Sequence, residues 1–224
     1  MQNGSEASWD TDPTHHPECD FCQRDSIAAN ILKETPLFRV VADHAPLVEG
    51  HILITPRNHY PCYGGVPATL DSELFVLKDE VRRFFAQFYD TPIFWEHGVF
   101  RQTVFHAHLH CFPFGETRYN LREGLHGLIV QEQDDIRRWY ANEGHYFYLE
   151  DAQNALLFAP EMDTYMRILQ EVLWPGATSH SDHKSWRSPQ QRIEDGKLLI
   201  QATARKWYLF QQQEVNYADE AGSR

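Results

Sequence analysis

The chain has 224 residues, 42% of them apolar, with 20 basic against 32 acidic side chains and a formal net charge of −12. That is enough for one large globular domain or a domain with an extension. The negative balance disfavours bulk binding to nucleic acid or an anionic membrane, which needs a basic face. No apolar run nears the roughly 20 residues of a membrane span, and no charged-apolar-small leader opens the chain. The expectation is a soluble, cytoplasmic protein.

In chain order, residues 1–16 are polar and acidic and predict a flexible tail. Residues 36–42 and 50–55 read as two strands, with Val48-Glu49-Gly50 between them suggesting antiparallel pairing. Leu70, Leu74, Leu77, Val81, Phe84, Phe85 and Phe88 recur at three- and four-residue steps, which predicts a helix over 69–89 with one apolar stripe. Residues 92–96 and 103–112 give two more strands. Strands, helix, strands in that order predict an α+β fold, an antiparallel sheet with helix on one face.

Beyond residue 116, Tyr146, Tyr148 and Leu149 and then 155–158 predict a hairpin around Asp151-Ala152-Gln153-Asn154. Tyr165, Ile168, Leu169, Val172 and Leu173 mark a helix stopping before Pro175-Gly176. A last helix starts at Ser188 as N-cap, with Pro189 at the first helical position and Gln191 completing a capping box. Ile200, Ala204, Trp207 and Tyr208 give it an apolar side. The expected organisation is a tail at 1–16, a core at 17–115 and a mostly helical extension at 116–224 packed on that core.

Chemistry concentrates in Val104-Phe105-His106-Ala107-His108-Leu109-His110-Cys111-Phe112. On one continuous strand, side chains two apart share a face. His106, His108 and His110 would then line one side, with Ala107 and Leu109 turned to the core. Buried imidazoles need partners for two nitrogens each, so three together suit nucleophile, donor and ligand roles better than packing. Cys19-Asp20-Phe21-Cys22 is a Cys-x-x-Cys that by itself leaves zinc and redox use open. A thioredoxin-like reading needs a βαβ context, and none is visible. Cys62 and Cys111 read as plain buried thiols.

The run resembles the histidine triad (HIT) pattern, His-x-His-x-His followed by two apolar residues. Gln102-Thr103-Val104 leads into it as in the fragile histidine triad nucleotide hydrolases. Upstream, Phe38 to Asp43, then Gly50-His51, then Ile52 to Thr55 and Pro56-Arg57-Asn58-His59 is similar to the family's first half. The resemblance covers roughly residues 17–115, and smaller members lack the extension.

That resemblance implies His108 as the nucleophile attacking the α-phosphorus of a nucleotide, with a covalent nucleotidyl-imidazole intermediate later cleaved by water. It implies His110 as a donor to phosphate oxygens; the uridylyltransferase branch carries Gln there, so His points to the hydrolases. His51 becomes the fourth active-site histidine, and Asp43 the binder of the ribose hydroxyls. Gln102 and Thr103 fall near phosphate or leaving group, while Phe21, Ile27, Leu32, Val41 and His44 flank the ribose position and could sandwich the base. Glu96-His97-Gly98 departs from the family's amide or acid before Gly, and a carboxylate beside phosphates is unfavourable unless paired or turned to the ribose.

The resemblance also implies a structural zinc on Cys19, Cys22, His59 and His106, with His15 and His16 as rivals from the tail. Two thiolates and two imidazoles suit tetrahedral zinc. The expected activity is hydrolysis of a dinucleoside polyphosphate, a phosphoramidate or another nucleotidyl conjugate, releasing a nucleoside monophosphate. A nucleotidyl transferase or phosphorylase, or a zinc-stabilised nucleotide-binding module with little turnover, are the alternatives. No nucleic acid polymer or membrane is expected as partner, since no basic finger or arm is present. Many triad proteins pair sheets edge to edge, which implies a homodimer that the extension could block.

Overall fold

A computed structural model describes residues 16–115, 127–180 and 188–222, with side chains up to residue 214. The tail expected over 1–16, apart from His16, lies outside the described residues, and so does His15.

Eight strands form one antiparallel sheet: β1 (Ile31–Glu34), β2 (Phe38–Ala42), β3 (Ile52–Pro56), β4 (Ile93–Glu96), β5 (Leu109–Phe112), β6 (Gly127–Ile129), β7 (Phe147–Glu150) and β8 (Ala155–Phe158), in the spatial order β1-β2-β3-β5-β4-β7-β8-β6. The helices are α1 (Arg24–Ile27), α2 (Asp71–Phe88), α3 (Gln133–Glu143), α4 (Met162–Ile168), α5 (Trp174–Ser179) and α6 (Pro189–Gly222). This is the expected α+β class. No helix among the described residues is long and apolar enough to cross a membrane.

β2 and β3 are buried at every position, which is why they read as continuous apolar runs rather than alternating ones. One face of the sheet presents Val40, Ile54, Phe94, Leu109 and Cys111 to the stripe Leu74, Leu77, Val81, Phe84 and Phe85 of α2. Trp207 and Phe210 of α6 close on the same layer, their ring centroids 4.8 and 5.6 Å from Phe84. The other face, with Ile93, Trp95, Phe112, Phe147, Leu149, Leu156 and Phe158, is covered by Ile168, Val172, Leu173 and Ala177.

The residues beyond 116 therefore do more than cap the fold. β7 pairs with β4 through Phe94↔Glu150, Trp95↔Leu149 and Glu96↔Tyr148, which extends the sheet. Lys78 and Arg82 of α2 both meet the Glu150 carboxylate, Arg82 at 2.6 Å. Gly98, at φ +52°, lies so close to the start of β7 that a Cβ there would stand 2.3 Å from the Tyr146 carbonyl oxygen.

Two expectations are corrected. The strand expected over 103–112 forms a ladder only at Leu109–Phe112. Before it the backbone leaves the sheet: the His106 amide donates to the Val104 carbonyl and the Ala107 amide to the Tyr60 carbonyl at 2.6 Å. The alternation survives this: Ala107 and Leu109 enter the core, the His108 and His110 rings lie side by side at 4.9 Å, and His106 and His108 both border the Phe21 ring. The helix expected to end before Pro175 continues to Ser179, because a π turn at Leu169–Leu173 leads into α5, whose first turn tolerates the missing proline N–H. The Ser188 capping box is present: the Ser188 amide donates to Gln191 Oε1 (3.0 Å) and the Gln191 amide to Ser188 Oγ (3.3 Å). β1, β6 and α3 were not foreseen; they are short or carry few apolar residues, and Ile136 alone is buried in α3.

Candidate active site and metal cluster

His106 adjoins the Cys-x-x-Cys turn. Cys19 Sγ lies 3.4 Å from His106 Nδ1, Cys22 Sγ lies 3.4 Å from His59 Nδ1, and Cys22 Sγ lies 3.6 Å from His106 Nδ1. The ligand atoms of these four residues all fall within 4.8 Å of one another. Zinc bonds of about 2.3 Å to sulfur and 2.0–2.1 Å to nitrogen in a tetrahedron give S···N edges of roughly 3.5 Å, which these three S···N separations match. His106 Nε2 donates to the Pro56 carbonyl at 2.8 Å, which leaves Nδ1 as a lone pair aimed at the sulfurs. None of the described cysteines forms a disulfide. The His16 ring lies against the His59 ring, tilted by 33° with centroids 3.9 Å apart, but is outside the four-residue set.

His51 and His110 are joined in a directed hydrogen-bond chain, and His108 is fixed separately by the backbone. His108 Nδ1–H donates to the His106 carbonyl at 2.6 Å, so Nε2 carries the lone pair. The Leu47 amide donates to His51 Nδ1 at 3.3 Å, which puts the His51 proton on Nε2. His51 Nε2–H then donates to His110 Nδ1 at 3.0 Å, and the His110 proton is left on Nε2. Lone pair on His108 and N–H on His110 sit on neighbouring rings, with centroids 4.9 Å apart.

Burial keeps these rings neutral. Desolvation lowers His108 below the ordinary imidazole value against the pull of the His106 carbonyl and Asp43. It lowers His110 much further, with the other histidines adding to the effect, and takes His51 down to about 4. A neutral imidazole with a free nitrogen is a competent nucleophile at pH 7.

Asp43 is buried beside this chain. Its Oδ1 accepts the Ala45 amide at 2.7 Å, the turn bond of an Asx residue. Its Oδ2 stands 3.6 Å from His51 Nε2 and 4.0 Å from His110 Nδ1. Asp43, His51 and His110 could be taken for a second metal set, but the His51 nitrogen concerned is the protonated one and offers no lone pair. Gln102 is 7% exposed and both atoms of its side-chain amide are buried without a hydrogen-bond partner. An amide so placed costs free energy until something fills its bonds.

Phe21, Val41 and Leu53 form a small cluster with Ile27, Ile31 and Val104 against it, and the Phe21 ring centroid is 5.5 Å from that of His108. Of the other expected contacts, Leu32 packs into the α2 side of the sheet. The His44 side chain is 69% exposed, and Thr103 is exposed.

Glu96 does not face the triad. It is fully buried on the α2 face, where Oε1 accepts the Tyr63 amide (2.7 Å) and Oε2 accepts the Tyr146 hydroxyl (2.5 Å). Burial raises it to about 7 against both bonds. The pairing expected of a carboxylate near phosphates is thus real, but it is part of the core.

Sequence reasoning assigned no role to His97, whose ring lies 5.8 Å from His110 and 5.9 Å from Tyr165 of α4. It also missed Val99 and Arg101, non-glycine residues at φ +83° and +55° in the loop before Gln102. Such outliers cluster at functional sites, and nothing in the sequence marks them.

Residues 24–117 match the family model for the HIT domain. No curated protein matches the chain. Among solved structures, it is similar to a hypothetical histidine triad nucleotide-binding protein from Sulfolobus tokodaii strain7 (22% identity over 55% of this chain and 93% of that one, TM-score 0.39). It is also similar to a Zn-bound histidine triad family protein from Mycobacterium smegmatis (25%, 56% and 94%, TM-score 0.37) and a HIT family hydrolase from Clostridium thermocellum (20%, 47% and 97%, TM-score 0.40).

Proposed function

Since residues 24–117 of this chain are a HIT domain, we propose that the protein is a nucleotide hydrolase that cleaves a nucleoside 5′-phosphoryl bond through a nucleotidyl-His108 intermediate. The observation that carries this is the proton arrangement: His108 Nε2 is a lone pair while its neighbour His110 is left with an N–H. His108 Nε2 attacks the α-phosphorus, an N–P bond forms, and the bond to the leaving group breaks with its electron pair. Water then attacks phosphorus, the N–P pair returns to Nε2, a water proton passes to solvent, and a nucleoside monophosphate is released. His110 N–H donates to a non-bridging phosphate oxygen as its charge shifts. Asp43 Oδ2 takes the ribose hydroxyls, the Gln102 amide meets phosphate or leaving group, and Phe21, Ile27 and Val41 hold the base. Thr103 and His44, both exposed, act at the rim.

Cys19, Cys22, His59 and His106 hold a structural zinc, which pins three segments and supplies no chemistry to the reaction. Residues 17–115 are the catalytic core and 116–224 an extension built into its sheet.

The test is a base quench during turnover of a dinucleoside polyphosphate or a nucleoside phosphoramidate, followed by intact mass. Wild type should carry one nucleotidyl group, and His108→Ala should carry none and lose several orders of magnitude in the chemical step. Near-normal turnover by His108→Ala would sink the mechanism. A wild-type adduct that inorganic phosphate resolves faster than water would move the enzyme to the phosphorylases. Binding without turnover would leave a nucleotide-binding module.

A further inference from the structure

α6 lies over the loop between β2 and β3, and it meets that loop with two small residues. Gly196, Thr203, Trp207 and Phe210 are buried and follow one another at steps of seven, four and three residues, so they share one helix face. The large pair packs on Phe84 of α2. The small pair lets the helix approach the loop backbone. A Cβ on Gly196 would stand 2.6 Å from Pro46 Cδ and 3.7 Å from the His44 carbonyl oxygen. Thr203 Oγ1 accepts the Gly50 amide at 2.8 Å and gives its own hydrogen to the Leu199 carbonyl at 2.8 Å. With that hydrogen committed along the helix, a lone pair of the hydroxyl is left facing the loop. At the rim of the contact, Lys206 Nζ meets Glu49 Oε1 at 2.8 Å, and the Tyr89 hydroxyl donates to the same oxygen at 2.9 Å.

These contacts bear on one imidazole. Pro46 precedes Leu47, whose amide donates to His51 Nδ1 at 3.3 Å, and Gly50 precedes His51 itself. Gly196 and Thr203 are held about 10.5 Å apart by the rise of two helical turns. The helix therefore fixes, from outside the loop, both ends of the bond that sets the His51 tautomer. Without the Leu47 donor the proton can sit on Nδ1, and Nε2 then presents a lone pair to His110 Nδ1 across their 3.0 Å contact. His110 has to supply the hydrogen of that bond from Nδ1, so its Nε2 turns from an N–H into a lone pair. A lone pair repels the phosphate oxygen that the N–H would stabilise. Asp43 moves with the same loop, because its amide donates to the His51 carbonyl at 3.1 Å.

We infer that Thr203 is a positioning residue: by holding the Gly50 amide, with Gly196 pressed on Pro46, it fixes the His51 tautomer and so keeps the His110 N–H turned to the phosphate. The consequence for turnover rests on the nucleotide reading above. Thr203 and Gly196 lie beyond residues 24–117, which match the HIT domain model, so the extension sets the proton arrangement of a site it does not itself line.

The experiment compares Thr203→Ala with Thr203→Ser in the full chain, two variants that differ by the hydroxyl alone. Thr203→Ala should lower kcat for a dinucleoside polyphosphate or a nucleoside phosphoramidate about tenfold, the order expected of a stranded buried N–H. KM should change little, since the His110 bond strengthens in the transition state. Thr203→Ser should restore most of the loss. Nitrogen-15 spectra of the imidazoles should show His51 protonated at Nε2 alone in wild type and Thr203→Ser, and a mixture of tautomers in Thr203→Ala. Gly196→Ala is the independent variant. Alanine favours the helix, yet its methyl displaces Pro46, so the same kcat loss and spectral change are expected without a weakened α6. If either readout stays at its wild-type value in folded Thr203→Ala, or in Gly196→Ala should Thr203→Ala not fold, the inference is overturned, whatever the melting temperature does. A wild type that turns over neither class of conjugate brings down the hydrolase reading, and the His51 spectra then decide the positioning role alone.

Discussion

At the scale of single residues, Glu96 and the site histidines pull stability in opposite directions over one pH range. The folded chain holds Glu96 near 7, whereas an unfolded carboxyl titrates near 4.3. Between those values the folded form binds the extra proton. Its contribution is therefore complete below the unfolded value and is lost as pH rises through about 7. His51 and His97 are held at about 4 and about 3 by burial, below the ordinary 6.5; there the unfolded chain takes the proton, and stability is lost as pH falls through 6.5. A Glu96→Gln substitution isolates the first effect. Its amide oxygen can still accept the Tyr63 N–H and its NH₂ can donate to the Tyr146 oxygen, so the bonds are kept while the titration is removed. Urea midpoints at pH 5 and pH 8.5 should show the variant gaining on wild type as pH rises. A difference independent of pH would mean that Glu96 is not the titrating group. The sequence showed Glu96 to be out of pattern but not where it points, because facing depends on the local ladder: Trp95 and Glu96 lie on opposite sides of β4.

At the scale of elements, the cysteine turn, the end of β3 and the approach to β5 converge on one cluster. Each segment is short of apolar burial there: Cys19, Phe21 and Cys22 share a core of only five buried residues with Val41 and Leu53. An ion holding four ligands would contribute its binding free energy to folding. Elemental analysis should find about one zinc per chain. Cys19→Ser should lose the metal and lower the melting temperature by several degrees, more than it lowers turnover per folded molecule. A metal-free wild type of unchanged stability, or a Cys19–Cys22 disulfide, would refute the assignment. The ligand residues were legible because residue types and order identify a HIT pattern. The departure of His106 from the β5 ladder was not, since it arises from hydrogen bonds to Tyr60 and Pro56, remote in sequence.

At the scale of the whole molecule, the extension decides which edges of the sheet are open. Within residues 24–117, which match the HIT domain model, the outer strands are β1 and β4, and β7 of the same chain occupies the free side of β4. Among the described residues, β1 and the three-residue β6 are left as edges. The edge-to-edge homodimer implied by resemblance is therefore confined to those two strands, and β6 is exposed throughout and too short for a stable ladder. Sedimentation should return the mass of one chain, 26.2 kDa. A stable two-chain species with amide protection along β1 would show that the dimer forms on the opposite side of the core.

The residue pattern by itself determined the α+β class, the strand and helix nuclei of the core and the capped start of α6, all of which follow from periodicity and capping chemistry within short windows. The resemblance to the HIT pattern singled out His51, His108 and His110 and, separately, Cys19 and Cys22 with His59 and His106. Only the tertiary structure decided which way the imidazole protons point, that Glu96 belongs to the core, and that β7 seals β4. Each depends on contacts between segments far apart in the chain, and the spacing of residues within a window carries no information about those.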